Sequence, residues 1–408
     1  MIQKFDIRDY GAVSTPAQNP ADPEKIFTTG LEEARRIYEE AGKQGAPADS
    51  GPLCTEAIQA AIDACRDAGG GEVVIPEGVW LTGSIHLYSN MTLHLNTGAR
   101  LKGSTDLSDY TNYGFPTTLG YVDDPEYIEL WHLPPYYTHA LITAYGAQNV
   151  SVTGDEGSVI DGSDCYDPDG EERFRGPMCI RITRCENISL SGYRVENSAN
   201  WAHQIDDCAN IDIRGISIVA GHDGIDVHHC ENIRIRDCVF LTGDDCIAGY
   251  DNRNLLAEDC RLNTSCQSFR MGAVNMLVRR CSFDGPGKYV HRVSGRRNTI
   301  YAFLFYSHKA DPKQEESRNW RIEDCTFEGI DQLIMYDFPC EWAQHEVVPL
   351  KDVTFARCTF RGFLHTSAFK SCGPHGKLVF EACDFDGAMQ DPEKPLAEGN
   401  ENTEIIYG

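Results

Sequence analysis

The chain has 408 residues, is 41% hydrophobic and 24% charged, and carries 36 Lys and Arg against 62 Asp and Glu, a formal charge of -26. That length allows a large core and even two or three domains. The acidity disfavours loose association with nucleic acid or an anionic membrane, so an anionic ligand would have to be met by a local basic cluster.

The N-terminal stretch "MIQKFDIRDYGAV" has no charged region followed by an apolar one, and no apolar run approaches the roughly 18 residues of a membrane span. A cytoplasmic location is expected, the alternative being a secreted chain trimmed of its signal. Residues 14–51 form a Pro- and Ala-containing insertion with a helical stretch, "LEEARRIYEEAGK". Residues 52–70 read as a cap helix, because "TEAIQAAIDACRDA" places Ala57, Ile58, Ala61, Ile62 and Cys65 on one face before the stop "GGG".

Beyond the cap, Asn149, Asn187, Asn210, Asn232, Asn254, Asn275, Asn298 and Asn319 each precede a short alternating apolar segment, and from Asn187 the intervals are 23, 22, 22, 21, 23 and 21. A second series, Cys238, Cys260, Cys281, Cys325, Cys358 and Cys383, follows the same strands. A period near 22 with short strands between Gly, Asn and Asp turns predicts an all-β fold, a parallel β-helix built as a solenoid. Residues 1–408 are accordingly read as one β-helix domain ending in a loose polar tail at 386–408. The 17 cysteines are odd in number and sit at repeat positions, so most are read as buried thiols rather than disulfides.

Nine residues before Asn232 and Asn254 stand Asp223 and Asp245, which should therefore stack on adjacent coils with Asp244 beside them. An Asp in a Gly-containing turn ordinarily bonds backbone amides. Three in ladder register repel one another and raise at least one pKa. Such a cluster suits glycosidic hydrolysis by a protonated acid and an ionised partner that activates water. It is thin for calcium, which takes six to eight oxygens; His222, His228 and His229 leave a transition metal open, but no metal or cofactor is expected. The same arithmetic sets Trp201 one coil before Asp223, Cys266 one coil after Asp245 and Tyr289 one further, making the two aromatics candidate sugar platforms. Arg270, His291, Arg292, Arg296 and Arg297 gather nearby as a candidate carboxylate site, and the aromatic-rich stretch 110–137 could wall off one end.

The segments "FDIRDYGAV", "TEAIQAAIDACRDAGGGEVVIPEGVWLTGSIHLYSNMTLHLNTGARL", "VSVTGDEGSVIDG", "ENSANWAHQIDDCANIDI" and "DGIDVHHCENIRIRDCVFLTGDDCIA" resemble glycoside hydrolase family 28, the polygalacturonase family, over roughly residues 4–285 apart from the insertion. The resemblance implies a right-handed parallel β-helix that hydrolyses galacturonosyl or rhamnosyl linkages in pectin with inversion and needs no cofactor. The family's Asn-Thr-Asp motif falls on Gly221, His222 and Asp223, so only its aspartate survives, whereas Gly-Asp-Asp matches at Gly243, Asp244 and Asp245. By this resemblance Asp244 is the general acid, and Asp223 and Asp245 hold the attacking water across a gap of roughly 6.5–9.5 Å. Trp201, His222, Gln267, Arg270, Tyr289, His291, Arg292 and Arg296 are the candidate substrate-binding residues. Two departures stand out: Cys266 or Gln267 replaces the histidine of the family's Gly-His-Gly motif, and its Arg-x-Lys clamp has no counterpart beyond Arg296 and Arg297.

The expectation is an exo-acting inverting hydrolase of pectin-type oligosaccharides, with oligosaccharide or polysaccharide as partner and neither nucleic acid nor membrane. The alternatives are a carbohydrate-binding solenoid without catalysis, a hydrolase of another sugar, or a lyase or epimerase on the same fold.

Overall fold

The computed structural model describes residues 2–15, 22–44, 51–123, 125–133, 139–308, 315–338, 348–371, 373 and 376–408. The chain winds into a right-handed parallel β-helix. Each coil contributes up to three short strands, as in His203–Asp206, Ala209–Arg214 and Ser217–Ala220, followed one turn later by Ile225–His228, Glu231–Arg236 and Val239–Thr242. Every strand-to-strand pairing between these coils is parallel and in register.

Alternation explains the coil. In Glu231–Arg236 the isoleucines Ile233 and Ile235 are buried and the intervening charged side chains are not. Parallel stacking then aligns like with like: Ile188, Ile211, Ile233, Leu255, Met276, Trp320, Val353 and Leu378 form one internal ladder. Phe240, Leu262, Phe283, Phe327 and Phe360 form another. Each buried phenylalanine contributes about 1.5–3 kcal/mol, and the ring stacking of Phe283 on Phe327, with centroids 4.4 Å apart, adds to it.

The asparagine series is a hydrogen-bonded ladder. Asn149 Nδ2 donates to Asn90 Oδ1 at 2.8 Å, and Asn187, Asn210, Asn232, Asn254, Asn275 and Asn319 each donate to the one before. All sit at positive φ, between 55° and 61°, where asparagine is the best tolerated side chain. Asn298 does not belong to it: Asn319 bonds directly to Asn275, and Asn298 Nδ2 goes to Asp331 Oδ2. Residues 285–300 are an excursion between strands, and with it the step from Asn275 to Asn319 is 44 residues, which imitates two repeats.

All fifteen described cysteines are free thiols, and several donate to the carbonyl two residues back, as Cys230 Sγ does to His228 at 3.2 Å. The helix Thr55–Asp67 buries Ile58, Ala61, Ile62 and Cys65 over the first coil, as its pattern predicts. At the other end the expectation of a loose tail is overturned. Thr403–Tyr407 pairs in parallel with Gly376–Glu381, and Ala397–Glu398 with Ser367–Ser371, so backbone pairing completes a last coil whose side chains are mostly polar.

The insertion returns to the body of the solenoid. Its helix Leu31–Gln44 and the turn Pro23–Phe27 bring Ile26, Ala34 and Tyr38 against Val219, Tyr289 and Val290. Arg297 Nη2 donates to the carbonyls of Ile26 and Thr29 at 2.7 and 2.8 Å. The insertion and the 285–300 excursion are thus tied together.

Candidate active site

Asp223 sits in the turn between Ser217–Ala220 and Ile225–His228, and Asp244 and Asp245 occupy the same turn one coil later. Two glycines permit this stacking. A side chain at Gly221 would strike the Arg292 guanidinium, and one at Gly243 would meet the carbonyls of Gly221 and Val290. Carboxylate oxygens of Asp223, Asp244 and Asp245 lie within 4.8 Å of one another. The amide of Asp245 donates to Asp223 Oδ1 and that of Gln267 to Asp245 Oδ1, each at 3.1 Å. This separation is shorter than the expected gap, because all three carboxylates share one ladder position and its neighbours.

Asp244 is distinguished from its companions by its partners. Arg175 Nη2 donates to Asp244 Oδ2 at 3.2 Å, and His291 Nε2 is 3.7 Å from Oδ1. Burial alone would raise the Asp244 pKa, but His291 and Arg175 outweigh it and hold this carboxyl well below the usual range. Burial and the Asp244 charge push Asp245 up to about 7, against the pull of Arg270. Burial, then the Asp244, Asp226 and Asp245 charges, push Asp223 well above normal. The expectation that its neighbours raise Asp244 is therefore reversed, because His291 and Arg175 hold it low while Asp223 and Asp245 are raised.

A fourth carboxylate, Asp226, is buried beside them with Oδ2 unpartnered, and burial followed by the Asp245 charge raises it too. Spacing brought Asp223 and Asp245 into view, but Asp226 lies on the strand and Arg175 in the loop 162–177, where no repeat marks a position. Arg175 carries no sequence signal of its role.

The substrate-binding expectations divide. The register runs Ile225 to Ile247 to Phe269, which puts Gln267 opposite Asp245 and Cys266 opposite Asp244, one place from the arithmetic of the asparagines. A bulge between Gly249 and Asn252 accounts for the slip. Gln267 pairs onward with Tyr301, so Tyr289 is not on this ladder at all. It lies in the excursion, 3% exposed, with its hydroxyl accepting from Arg292. Trp201 does stand one coil before Asp223, but it is 5% exposed, packed with Leu119, Leu133, Met178, Tyr250 and Tyr306 and stacked on His228. Neither aromatic is a free sugar platform.

His222 is buried against Phe174, its pKa lowered chiefly by burial. Arg292 is fully enclosed, paired with Asp164 and ringed by Tyr38, Tyr166 and Tyr289, so it meets no substrate carboxylate. Arg296 donates to Cys266 Sγ at 3.0 Å and to the Ser265 carbonyl at 3.2 Å. Arg297 anchors the insertion. Arg270, half-buried over the Tyr306 ring at 3.8 Å, is left beside Asp245 and Asp226.

The histidine missing at 266 is supplied from the excursion: donor atoms of Asp244, Cys266 and His291 lie within 4.8 Å of one another. That trio and the three aspartates are donor sets that could hold a cation. Arg175 on Asp244 and Arg296 on Cys266 set positive charge against one.

The comparisons agree with this architecture. Residues 65–265 match the family model described as glycosyl hydrolases family 28. A probable polygalacturonase of Vitis vinifera is 32% identical over 191 residues, 43% of this chain and 35% of that protein. An exo-poly-alpha-D-galacturonosidase of Dickeya chrysanthemi is 48% identical over 107 residues, 26% of this chain and 17% of that one. The chain therefore matches only about a third or less of the length of these curated relatives. Among solved structures, the polygalacturonase of Erwinia carotovora has a TM-score of 0.64 at 18% identity, covering 87% of this chain and 96% of that one. The exopolygalacturonase of Thermotoga maritima has 0.60 at 18%, covering 91% and 96%. Residues 65–265 of this β-helix are thus similar to glycosyl hydrolases family 28, on a fold shared with solved polygalacturonases.

Proposed function

We propose that the chain is an inverting glycoside hydrolase that removes galacturonosyl or related units from the end of pectin-type oligosaccharides. The observation that carries this reading is the trio Asp223, Asp244 and Asp245, three carboxylates within 4.8 Å, one of which is held apart electrostatically by Arg175 and His291.

Three carboxyls sharing a proton can exchange roles when substrate arrives. An acidic sugar over Asp244 removes its remaining solvent and adds a like charge, and both effects raise its pKa. A proton on Asp223 or Asp245, the two carboxyls whose pKa values are raised, then moves to Asp244. Asp244 donates it to the departing glycosidic oxygen, while Asp223 and Asp245, now ionised, orient a water and accept its proton. Chain-end action is supported by two segments held beside the acid-bearing coils: 110–123, fixed by Thr118 to Asp206, and the insertion 22–44, packed on the excursion that carries His291. The exo-acting relative from Dickeya chrysanthemi, 48% identical over its matched stretch, points the same way.

The short carboxylate separation favours a second reading, hydrolysis with retention, in which one aspartate attacks directly. Two carboxylates facing Asp244, rather than one, support a shared water instead. Incubation with galacturonate and rhamnogalacturonan oligosaccharides, followed by proton NMR of the first-formed anomer, tests both. Inverted single sugars from a chain end are expected. Retained anomers would install the second reading, internal cleavage would remove the exo assignment, and binding without product would leave a carbohydrate-binding solenoid.

A further inference from the structure

Three arginines of the described chain are buried, and one of them forms no ion pair with a carboxylate of the described residues. Arg175 is bonded to Glu172 and Asp244, and Arg292 to Asp164. Arg181 is 3% exposed, donates Nε to the neutral Gln204 Oε1 at 3.2 Å, and leaves Nη2 buried without a partner. The Asp206 charge acts on it without a hydrogen bond, Gln204 bonding to both, and a buried charge with no direct partner costs several kcal/mol. A fold that encloses one has set a place for an anion.

Its position says which anion. Ile180 and Ile182 point into the core, so Arg181 faces the outside of the sheet. The register carries this outward row from Arg181 to Gln204 to Asp226, and on through Ala248 to Arg270. Asp226 shares its coil with Asp223. Arg181 is thus two coils to the N-terminal side of the acid cluster and Arg270 two coils to the C-terminal side, each about 10 Å away at roughly 4.8 Å per coil. Thr117 and Thr118 reach over this side of the row to Asp206, which encloses the Arg181 end and leaves Arg270 half-exposed at the other.

We propose that Arg181 binds the carboxylate of an acidic sugar in an enclosed subsite on the N-terminal side of Asp223, with Arg270 as the corresponding cation on the far side. The inference rests on the glycosidase reading and replaces the clamp that Arg296 and Arg297 do not provide. Arg181 is a specificity-determining residue, not a catalytic one.

Calorimetry with trigalacturonate and its methyl ester tests it, using Asp244→Asn to prevent turnover, alone and combined with Arg181→Gln. The double variant should bind the acid at least about 30-fold more weakly, the low end for removing one partner of a buried charge pair, and should bind the ester as the single variant does. Equal affinity of both proteins for the acid, or no binding of the acid by Asp244→Asn, overturns the proposal. Arg181→Gln alone should melt no lower than wild type, because it removes an unpaired buried charge. A drop of several degrees would mean that the guanidinium is satisfied by the fold, which also overturns it. The glycosidase reading fails separately, if wild type binds the acid through Arg181 yet releases no sugar from any uronate oligomer.

Discussion

His291 Nδ1 accepts the amide hydrogen of Ser294 at 3.1 Å, which leaves Nε2 as the nitrogen that donates toward Asp244 Oδ1, 3.7 Å away. The excursion thus fixes both the tautomer and the aim of the imidazole. With Arg175, His291 lowers the Asp244 pKa against the effect of burial. Removing it in His291→Gln should raise that pKa, moving the alkaline limb of the kcat profile to higher pH. Turnover should fall about 10- to 100-fold, in the range of a displaced acid–base partner. A uniform loss with no movement of the limb would make His291 a packing residue.

The carboxylates themselves give a prediction of opposite sign for activity and stability. Asp223→Asn, Asp244→Asn and Asp245→Asn should each cost at least about a hundredfold in turnover. Asp245, raised to about 7, binds its proton more tightly folded than unfolded. Its contribution to stability is therefore complete below the ordinary carboxylate pKa near 4 and is lost as pH rises towards 7. Asp245→Asn should melt close to wild type at pH 4 and above it at pH 8, as measured by calorimetric melts at both. A lower melting temperature at pH 8 would show that the carboxylate is stabilised by its neighbours.

Trp201 separates a core residue from a sugar platform. It lies at the register position expected of a platform but is covered by the segment ending at Leu133. Trp201→Ala should destabilise the fold by about 3–5 kcal/mol, read as a lower denaturant midpoint with unchanged slope. An exposed platform would instead lose affinity for saccharide and leave the midpoint where it was.

These cases mark how far the sequence could be read. The coil, the cap helix and the meeting of Asp223 with Asp245 follow from alternation and a period near 22, because parallel stacking turns equal spacing into contact. Asn298 and Tyr289 misled for the same reason: the excursion at 285–300 helps lengthen one coil to 44 residues, two repeats, and looks like an extra coil until strand pairing is seen. Arg175 and His291, which set the charge of Asp244, arrive from segments that carry no period. The fate of the basic cluster was equally hidden, since only packing shows that Arg292 is spent on Asp164 and Arg297 on the insertion.

The insertion provides the last prediction. Arg297 donates to the carbonyls of Ile26 and Thr29, Arg35 Nη2 donates to the Ser294 carbonyl at 2.9 Å, and Tyr38 lies over Arg292 at 5.2 Å. All of these contacts fall on the excursion that carries His291. The insertion therefore acts as a brace on a residue whose distance from Asp244 sets the charge of the site. Arg297→Ala should make residues 22–44 more susceptible to limited proteolysis and should lower turnover by about 10- to 100-fold, the scale of a small misplacement of a catalytic group. It should also move the alkaline limb in the direction expected for His291→Gln, because a loosened imidazole no longer holds Asp244 down. Faster proteolysis with unchanged turnover and an unmoved limb would show that the insertion covers the solenoid without positioning anything in the site.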